Sequence, residues 1–167
     1  MGMAVPDTVM FPEEYERLQT IVQSLLQEAN AKVVFLVDKN GQQIASAGQL
    51  EHIDTTSMAS LAAGNVAATD GLARLMGDNQ FSVLFHEGDP DSIHISVVND
   101  RMILVVVFDV RSSLGLVRLR IRKAQENLVE IFQEMDRKAA QSAGKGPSMD
   151  SPFVEITDDD IDALFAD

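Results

Sequence analysis

The stretch DSIHISVVNDRMILVVVFD, residues 91–109, contains two strands of different character joined by a tight turn. In the first strand, isoleucine and valine alternate with polar residues, which predicts a half-buried strand with His94 on its polar face. The second strand, 102–108, is apolar throughout, as expected of a central strand covered on both faces. Because Asn99-Asp100 favours a hairpin turn, the two strands are expected to pair antiparallel.

Further strand signals lie on the N-terminal side of this hairpin. AKVVFLVDKNGQQIASAG, residues 31–48, places Asn-Gly between two strand-like segments, and this dipeptide readily takes the positive φ angles of a hairpin turn. QFSVLFHEG, residues 80–88, adds one more strand. The sequence therefore predicts a five-stranded antiparallel sheet.

Three segments have the apolar spacing of helices. In the first, 12–30, the apolar residues are Tyr15, Leu18, Ile21, Val22, Leu25, Leu26 and Ala29. The second runs from about Thr56 to Met76, and the third, 114–140, carries a heptad-like apolar seam. The order α-β-β-α-β-β-β-α predicts an α+β sandwich with helices on both faces of the sheet.

The charge of the chain is unevenly distributed. Its 167 residues carry a net charge of -13, and residues 151–167 hold six acids and no base. We expect an N-terminal extension (1–11), a folded domain (12–139), a flexible linker (140–150) and an acidic tail (151–167). The acidic balance argues against general nucleic-acid binding, because phosphate contacts need clustered bases.

The sequence also bears on the compartment. No apolar run approaches the roughly 18 to 20 residues that cross a bilayer, and the N-terminus lacks the features of a signal peptide. The chain has no cysteine, which excludes disulfides and cysteine-ligated zinc and fits a reducing environment. A cytoplasmic protein is expected, with no membrane insertion.

Signals for catalysis or metal binding are weak. The chain has three histidines, His52, His86 and His94. None has the neighbouring ligands of a metal site, and GKGPS at Gly144 lacks the leading glycine of a phosphate loop. The aspartates within 158–162 lack the glycine and glutamate that complete a calcium loop. No catalytic residue, metal or cofactor is expected, and the protein is not expected to be an enzyme.

The predicted middle helix has small residues one turn apart, at Ala63, Ala67 and Gly71. Glycine inside a helix costs about 1 kcal/mol relative to alanine, so close approach of a partner surface would explain it. A small-residue face against the sheet explains the pattern equally well. Asp70 lies beside these residues, and Arg74 is the only base on this helix.

A basic stretch opens the last helix. Five of the thirteen bases lie within thirteen residues, at Arg111, Arg118, Arg120, Arg122 and Lys123. In so acidic a chain they form a patch able to meet an acidic partner or the protein's own tail. The alternative is an ordinary solvated helix face.

The tail contains the signals of a short helix. Thr157 and Asp160 make a capping-box-like pair. Ile161, Leu164 and Phe165 follow the i, i+3, i+4 spacing of a helix that docks in a groove. We predict a tethered docking helix, with a merely solubilising acidic terminus as the alternative.

Several long segments resemble the bacterial Roadblock/dynein light chain family, in the branch that partners a small Ras-like GTPase of the MglA type. They are AKVVFLVDKNGQQIASAGQ, DTTSMASLAAGNVAA, FHEG and FDVRSSLGLVRLRIRKA. The resemblance runs from about Tyr15 to Ala139 and resumes in the tail. It implies a homodimer in which the third strands of two copies pair and the two middle helices dock the GTPase, with assemblies beyond the dimer left open.

The resemblance also implies an activity. The dimer would accelerate GTP hydrolysis by remodelling the switch regions of the GTPase, without an arginine finger, in the control of cell polarity and gliding motility at a cell pole. Partner contacts are expected at Ala63, Ala67, Asp70, Gly71, Arg74, Arg17, Arg120 and Lys123. A tail contact through Ile161, Leu164 and Phe165 would be linked to nucleotide exchange. A Roadblock scaffold that binds partners without altering GTP turnover is the alternative.

Overall fold

A computed structural model describes residues 12–77 and 81–144. The elements in chain order are α1 (Pro12–Glu28), β1 (Val33–Asp38), β2 (Gln43–Gly48), α2 (Thr55–Leu75), β3 (Val83–His86), β4 (Ser92–Val98), β5 (Met102–Phe108) and α3 (Leu114–Gly144). The chain divides into two units, 1–135 and 136–167. Of the second unit, residues 136–144 are described and are helical. The predicted element order and α+β class are confirmed.

The sheet is antiparallel, with strand order β2-β1-β5-β4-β3. β5 lies in the centre and all seven of its residues are buried, as its unbroken apolar sequence predicts. The β4–β5 turn has positive φ at Asn99 (52°) and Asp100 (57°), and the N–H of Arg101 donates to the carbonyl of Val98 at 3.1 Å. These values are those of a tight hairpin, so this turn sets the register of the two strands.

Alternation along the strands divides the apolar residues between two cores. Val34 and Leu36 of β1 pack on one face of the sheet, in a cluster that contains the buried apolar residues of α1 and α3. Val33 and Phe35 pack on the other face against α2. The sheet is therefore covered by α1 and α3 on one side and by α2 on the other, as a fully buried central strand requires.

Burial differs from the prediction at two places. Tyr15 is exposed and Glu14 is buried, although Tyr15 was placed on the apolar stripe of α1. Tyr15 lies three residues before the buried Leu18 and Glu14 lies four residues before it. Both spacings fit the same face of a helix, so packing decides which of the two side chains is buried. The polar face of β4 is also buried, at His94 and Ser96, because this face points toward the layer of α1 and α3.

The end of α3 is a further difference. The helix continues to Gly144, so residues 140–144 are helical where a linker was predicted. The remaining linker and the acidic tail lie outside the described residues. Within residues 12–77 and 81–144, no helix has the length and apolar character needed to span a membrane.

Candidate partner-binding surfaces

The start of α2 is defined by a cap. The carboxylate of Asp54 accepts hydrogen bonds from the backbone N–H of Ser57 (3.1 Å) and from its hydroxyl (2.6 Å). These bonds lower the pKa of Asp54, because they stabilise the charged carboxylate. Such a cap satisfies N–H groups that have no partner within the helix and determines where the helix begins.

The inner face of α2 is made of small residues. Its buried members are Ala59, Ala62, Ala63, Val66, Thr69 and Ala73. Ala63 belongs to the core cluster with Val33 and Phe35, so it faces the sheet and does not present its side chain to a partner in this structure. For Ala63, the sheet-facing interpretation of the small residues is the one that applies.

The outer face of α2 exposes leucines that the small-residue spacing did not indicate. Leu61 is 73% exposed, Leu72 58% and Leu75 85%. Leu72 follows Leu61 by eleven residues and Leu75 follows Leu72 by three. In a helix these spacings place the three leucines in one stripe, together with Gly64 and Ala68. We call these five residues the α2 surface. Solvent-exposed leucines grouped on one helix face are typical of an interaction site.

The other predicted residues of α2 flank this surface. Ala67 is exposed and Gly71 is half-buried, and a Cβ at Gly71 would meet nothing within 4 Å. Asp70 is half-buried, with an Oδ1 that lacks a hydrogen-bond partner among the described residues. Arg74 is exposed and its Nε donates weakly, at 3.4 Å, to the carbonyl oxygen of Asp70. These four residues thus lie together along one side of α2.

The sheet has a free edge at β3. This strand pairs with β4 and ends the sheet, so one row of its backbone groups has no partner strand within the described part of the chain. Between α2 and the neighbouring strands lies an apolar cavity of about 270 Å³, lined by Met58, Leu61 and the isoleucines of β4. Asn65 Nδ2 donates to His86 Nε2 at 2.9 Å, and both residues line this cavity.

The remaining predicted contact residues are on the opposite side of the sheet. Arg17 of α1 forms an ion pair with Glu134 of α3, and Arg120 of α3 lies 3.8 Å from Glu28 of α1. Lys123 lines a groove of about 330 Å³ between α1 and α3. Arg17 and Arg120 therefore tie the two helices together, and the structure does not bring this group to α2.

His94 is a buried histidine of β4. It is 2% exposed, and its Nδ1 has no hydrogen-bond partner among the described residues. Burial lowers the pKa of His94 from its usual value near 6.5, because the charged ring loses its hydration, and the positive charge of Arg118 lowers this pKa further. The neutral form is therefore the one that the fold accommodates.

We expect this burial to make stability depend on pH between about 7.5 and 5.5. The unfolded chain binds a proton at His94 near pH 6.5 and the folded protein only at lower pH, so stability is lost as the pH falls through this window. Urea titrations at pH values of about 7.5 and 5.5 give the free energy of unfolding at each. The difference between the two should be smaller for His94→Leu than for the unaltered protein. His52→Leu, at an exposed position, is the control. An unchanged difference in His94→Leu would contradict the assignment.

The described residues offer little else for chemistry. They contain no group of three or more acidic or histidine side chains placed to hold a metal ion. A cavity of about 590 Å³ at one end of the sheet is bordered by Lys32 and Asp91, whose Nζ and Oδ1 atoms are 3.0 Å apart. Ile161, Leu164 and Phe165 lie outside the described residues.

Comparison with known families matches the Roadblock/LC7 domain to residues 17–108, which is more than half of the chain. A comparison with curated protein sequences found no significant match. Among solved structures, Myxococcus xanthus MglB is 57% identical, with 76% of this chain and 96% of that one covered and a TM-score of 0.73.

Two further solved structures show the same relationship. Gliding protein MglB from Thermus thermophilus is 32% identical, with 77% of this chain and 98% of that one covered and a TM-score of 0.71. An MglB with a tetrameric arrangement is 31% identical, with 78% and 98% covered and a TM-score of 0.72. The chain therefore belongs to the Roadblock/LC7 family, in the branch of the MglB proteins.

Proposed function

We propose that this protein is a homodimeric GTPase-activating protein for a small Ras-like GTPase of the MglA type. The observation that carries the proposal is the 57% identity to Myxococcus xanthus MglB across 76% of the chain. The exposed leucines of the α2 surface support it, because they supply an apolar contact area on an otherwise acidic protein.

The dimer forms through the free edge of the sheet. Antiparallel pairing of β3 with β3 of a second copy would satisfy the unpaired backbone groups and extend the sheet to ten strands. The two α2 helices would then lie on the same face of that sheet. The apolar cavity beside β3 would be near the join, so dimerisation would also shield part of its lining.

The GTPase docks on the face that carries the paired α2 helices. Leu61, Leu72 and Leu75 provide its apolar contacts. Ala67 and Gly71 permit the GTPase to approach the backbone of α2 closely. Activation then occurs by rearrangement of the switch regions of the GTPase. No residue of this chain needs to enter the active site of the GTPase, in contrast to activators that insert an arginine.

Phosphate release from the cognate GTPase under multiple turnover tests this function. We expect addition of the protein to accelerate hydrolysis at least tenfold, which corresponds to about 1.4 kcal/mol of transition-state stabilisation. Bovine serum albumin at the same concentration is the control for nonspecific effects. Binding without acceleration would leave the scaffold as the function and contradict the activator proposal.

The same assay examines the mechanism through Arg74→Ala. Arg74 is the only base of α2 and is exposed, which makes it the single candidate for a finger on this helix. We expect the variant to retain at least half of the acceleration, as should Arg137→Ala, which removes an exposed arginine from α3. Loss of most of the acceleration with binding intact would mean that Arg74 acts as a finger and would overturn the remodelling mechanism.

The complex regulates cell polarity and gliding motility. The name of the Thermus thermophilus protein, a gliding protein, supports the motility part.

The tail contributes a second contact with the GTPase that is linked to nucleotide exchange. In parallel reactions with a variant that lacks residues 148–167, weaker GTPase binding or slower nucleotide exchange is expected. If both are unchanged, this tail contact does not exist.

A further inference from the structure

An exposed leucine on α3 is surrounded by bases. Leu119 is 60% exposed and lies in the N-terminal half of the helix. Arg118 precedes it, and Arg122 and Lys123 follow at the i+3 and i+4 positions, which adjoin it on the helix surface. We call these four residues the α3 patch. It combines one apolar anchor with three positive charges.

The structure separates these bases from the others of the same stretch. Arg111 forms an ion pair with Asp109, with 3.1 Å between Nε and Oδ1, and Arg120 forms a longer ion pair with Glu28. Within residues 12–77 and 81–142, the three bases of the α3 patch form no ion pair. Arg118 and Arg122 also repel each other, because residues four positions apart are neighbours on a helix surface. In a chain with 26 acids and 13 bases, such an unpaired cluster can attract a negatively charged partner.

The chain contains a segment with the matching chemistry. SPFVEITDDDIDALFAD, residues 151–167, has six acids and no base, and its helical spacing groups Ile161, Leu164 and Phe165. Opposite charge attracts it to the three bases, and an apolar side chain can cover Leu119. We propose that the α3 patch binds this C-terminal segment of the chain.

This contact would regulate the use of the segment. A segment held on the α3 patch is withheld from any other partner until that partner competes for it, because one apolar face cannot be buried twice. The inference does not depend on the GTPase, since it concerns two parts of this protein. It can therefore stand or fail separately from the proposed function.

Engineered cysteines test the contact in the full chain, which contains no native cysteine. Gly115→Cys lies one turn before Leu119, and Ala166→Cys labels the segment. The matched control pairs Ala166→Cys with Gly64→Cys on α2. Both glycines are exposed and helical, and a Cβ at either meets nothing within 4 Å. Under mild oxidation we expect the Gly115 pair to form a disulfide at least fivefold faster than the Gly64 pair.

Charge and salt provide the second measurement. In the Gly115 pair, Arg118→Glu with Arg122→Glu and Lys123→Glu should abolish the rate advantage. Salt at about 0.5 M should reduce it, because exposed charges are screened within a few ångströms. A disulfide within one copy or between two copies supports the proposal equally, and mass on a non-reducing gel separates them. Equal rates for the two pairs, or a rate advantage that survives charge reversal, would overturn it.

Discussion

Gly71→Arg is expected to reduce the proposed acceleration of GTP hydrolysis at least tenfold while leaving the fold intact. Gly71 is half-buried at the side of the α2 surface, and its missing side chain leaves room for a partner to approach. An arginine there would hold the partner away and place a charge in the contact, and a tenfold loss of affinity corresponds to about 1.4 kcal/mol. Phosphate release and direct binding to the GTPase measure both effects.

Stability should move in the opposite direction in this variant. Arginine has a better helix propensity than glycine by about 0.8 kcal/mol, and nothing within 4 Å opposes the new Cβ. Urea unfolding should therefore show equal or greater stability. Gly115→Arg is the matched control, since it makes the same change at an exposed glycine of α3. Full activity in Gly71→Arg would show that the GTPase does not approach this side of α2.

Gly48→Ala is expected to cause the largest loss of stability, about 3 kcal/mol. Gly48 ends β2 with φ of 109°, a conformation that L side chains rarely adopt. A Cβ at this position would clash with the carbonyl oxygen of Lys32, which also accepts a hydrogen bond from the N–H of Gln49 at 3.0 Å. Because the obstacle is backbone, relief requires the β1–β2 pairing to shift.

Gly64→Ala is the matched control for this prediction. Gly64 lies in α2 with open space around it, so a methyl group should stabilise the protein by about 0.5 to 1 kcal/mol. Urea titrations of both variants at one protein concentration give the two free energies of unfolding. Equal effects at the two positions would mean that the strand end rearranges at little cost, contrary to the geometry.

Local signals were sufficient for the elements of the fold. The apolar run at 102–108 predicts the central strand, and the Asn-Gly and Asn-Asp dipeptides predict two of the turns, where φ is positive at Gly41, Asn99 and Asp100. The predicted bounds of α2, Thr56 to Met76, differ by one residue at each end from those observed. These features depend on residues close together in the chain, which is why spacing alone identifies them.

The surfaces were harder to predict, since exposure depends on what covers each residue. Small-residue spacing grouped Ala63 with Ala67 and Gly71, yet Ala63 faces the sheet and Ala67 faces solvent. The leucines of the α2 surface were missed because their spacing of eleven and three is also that of a buried stripe. Charge counting likewise grouped Arg120 with Arg118, although only Arg120 has an acidic neighbour on α1.

The order of the elements, the antiparallel pairing and the central place of β5 follow from the sequence alone, because turn conformation and apolar periodicity are local properties. Which side of α2 is covered and which bases of α3 are paired depend on how the elements pack in the folded protein. The pairing of Arg120, for example, depends on Glu28 of α1, a residue far away in the chain. Helical spacing describes the faces of a helix, and only packing selects the one that remains exposed.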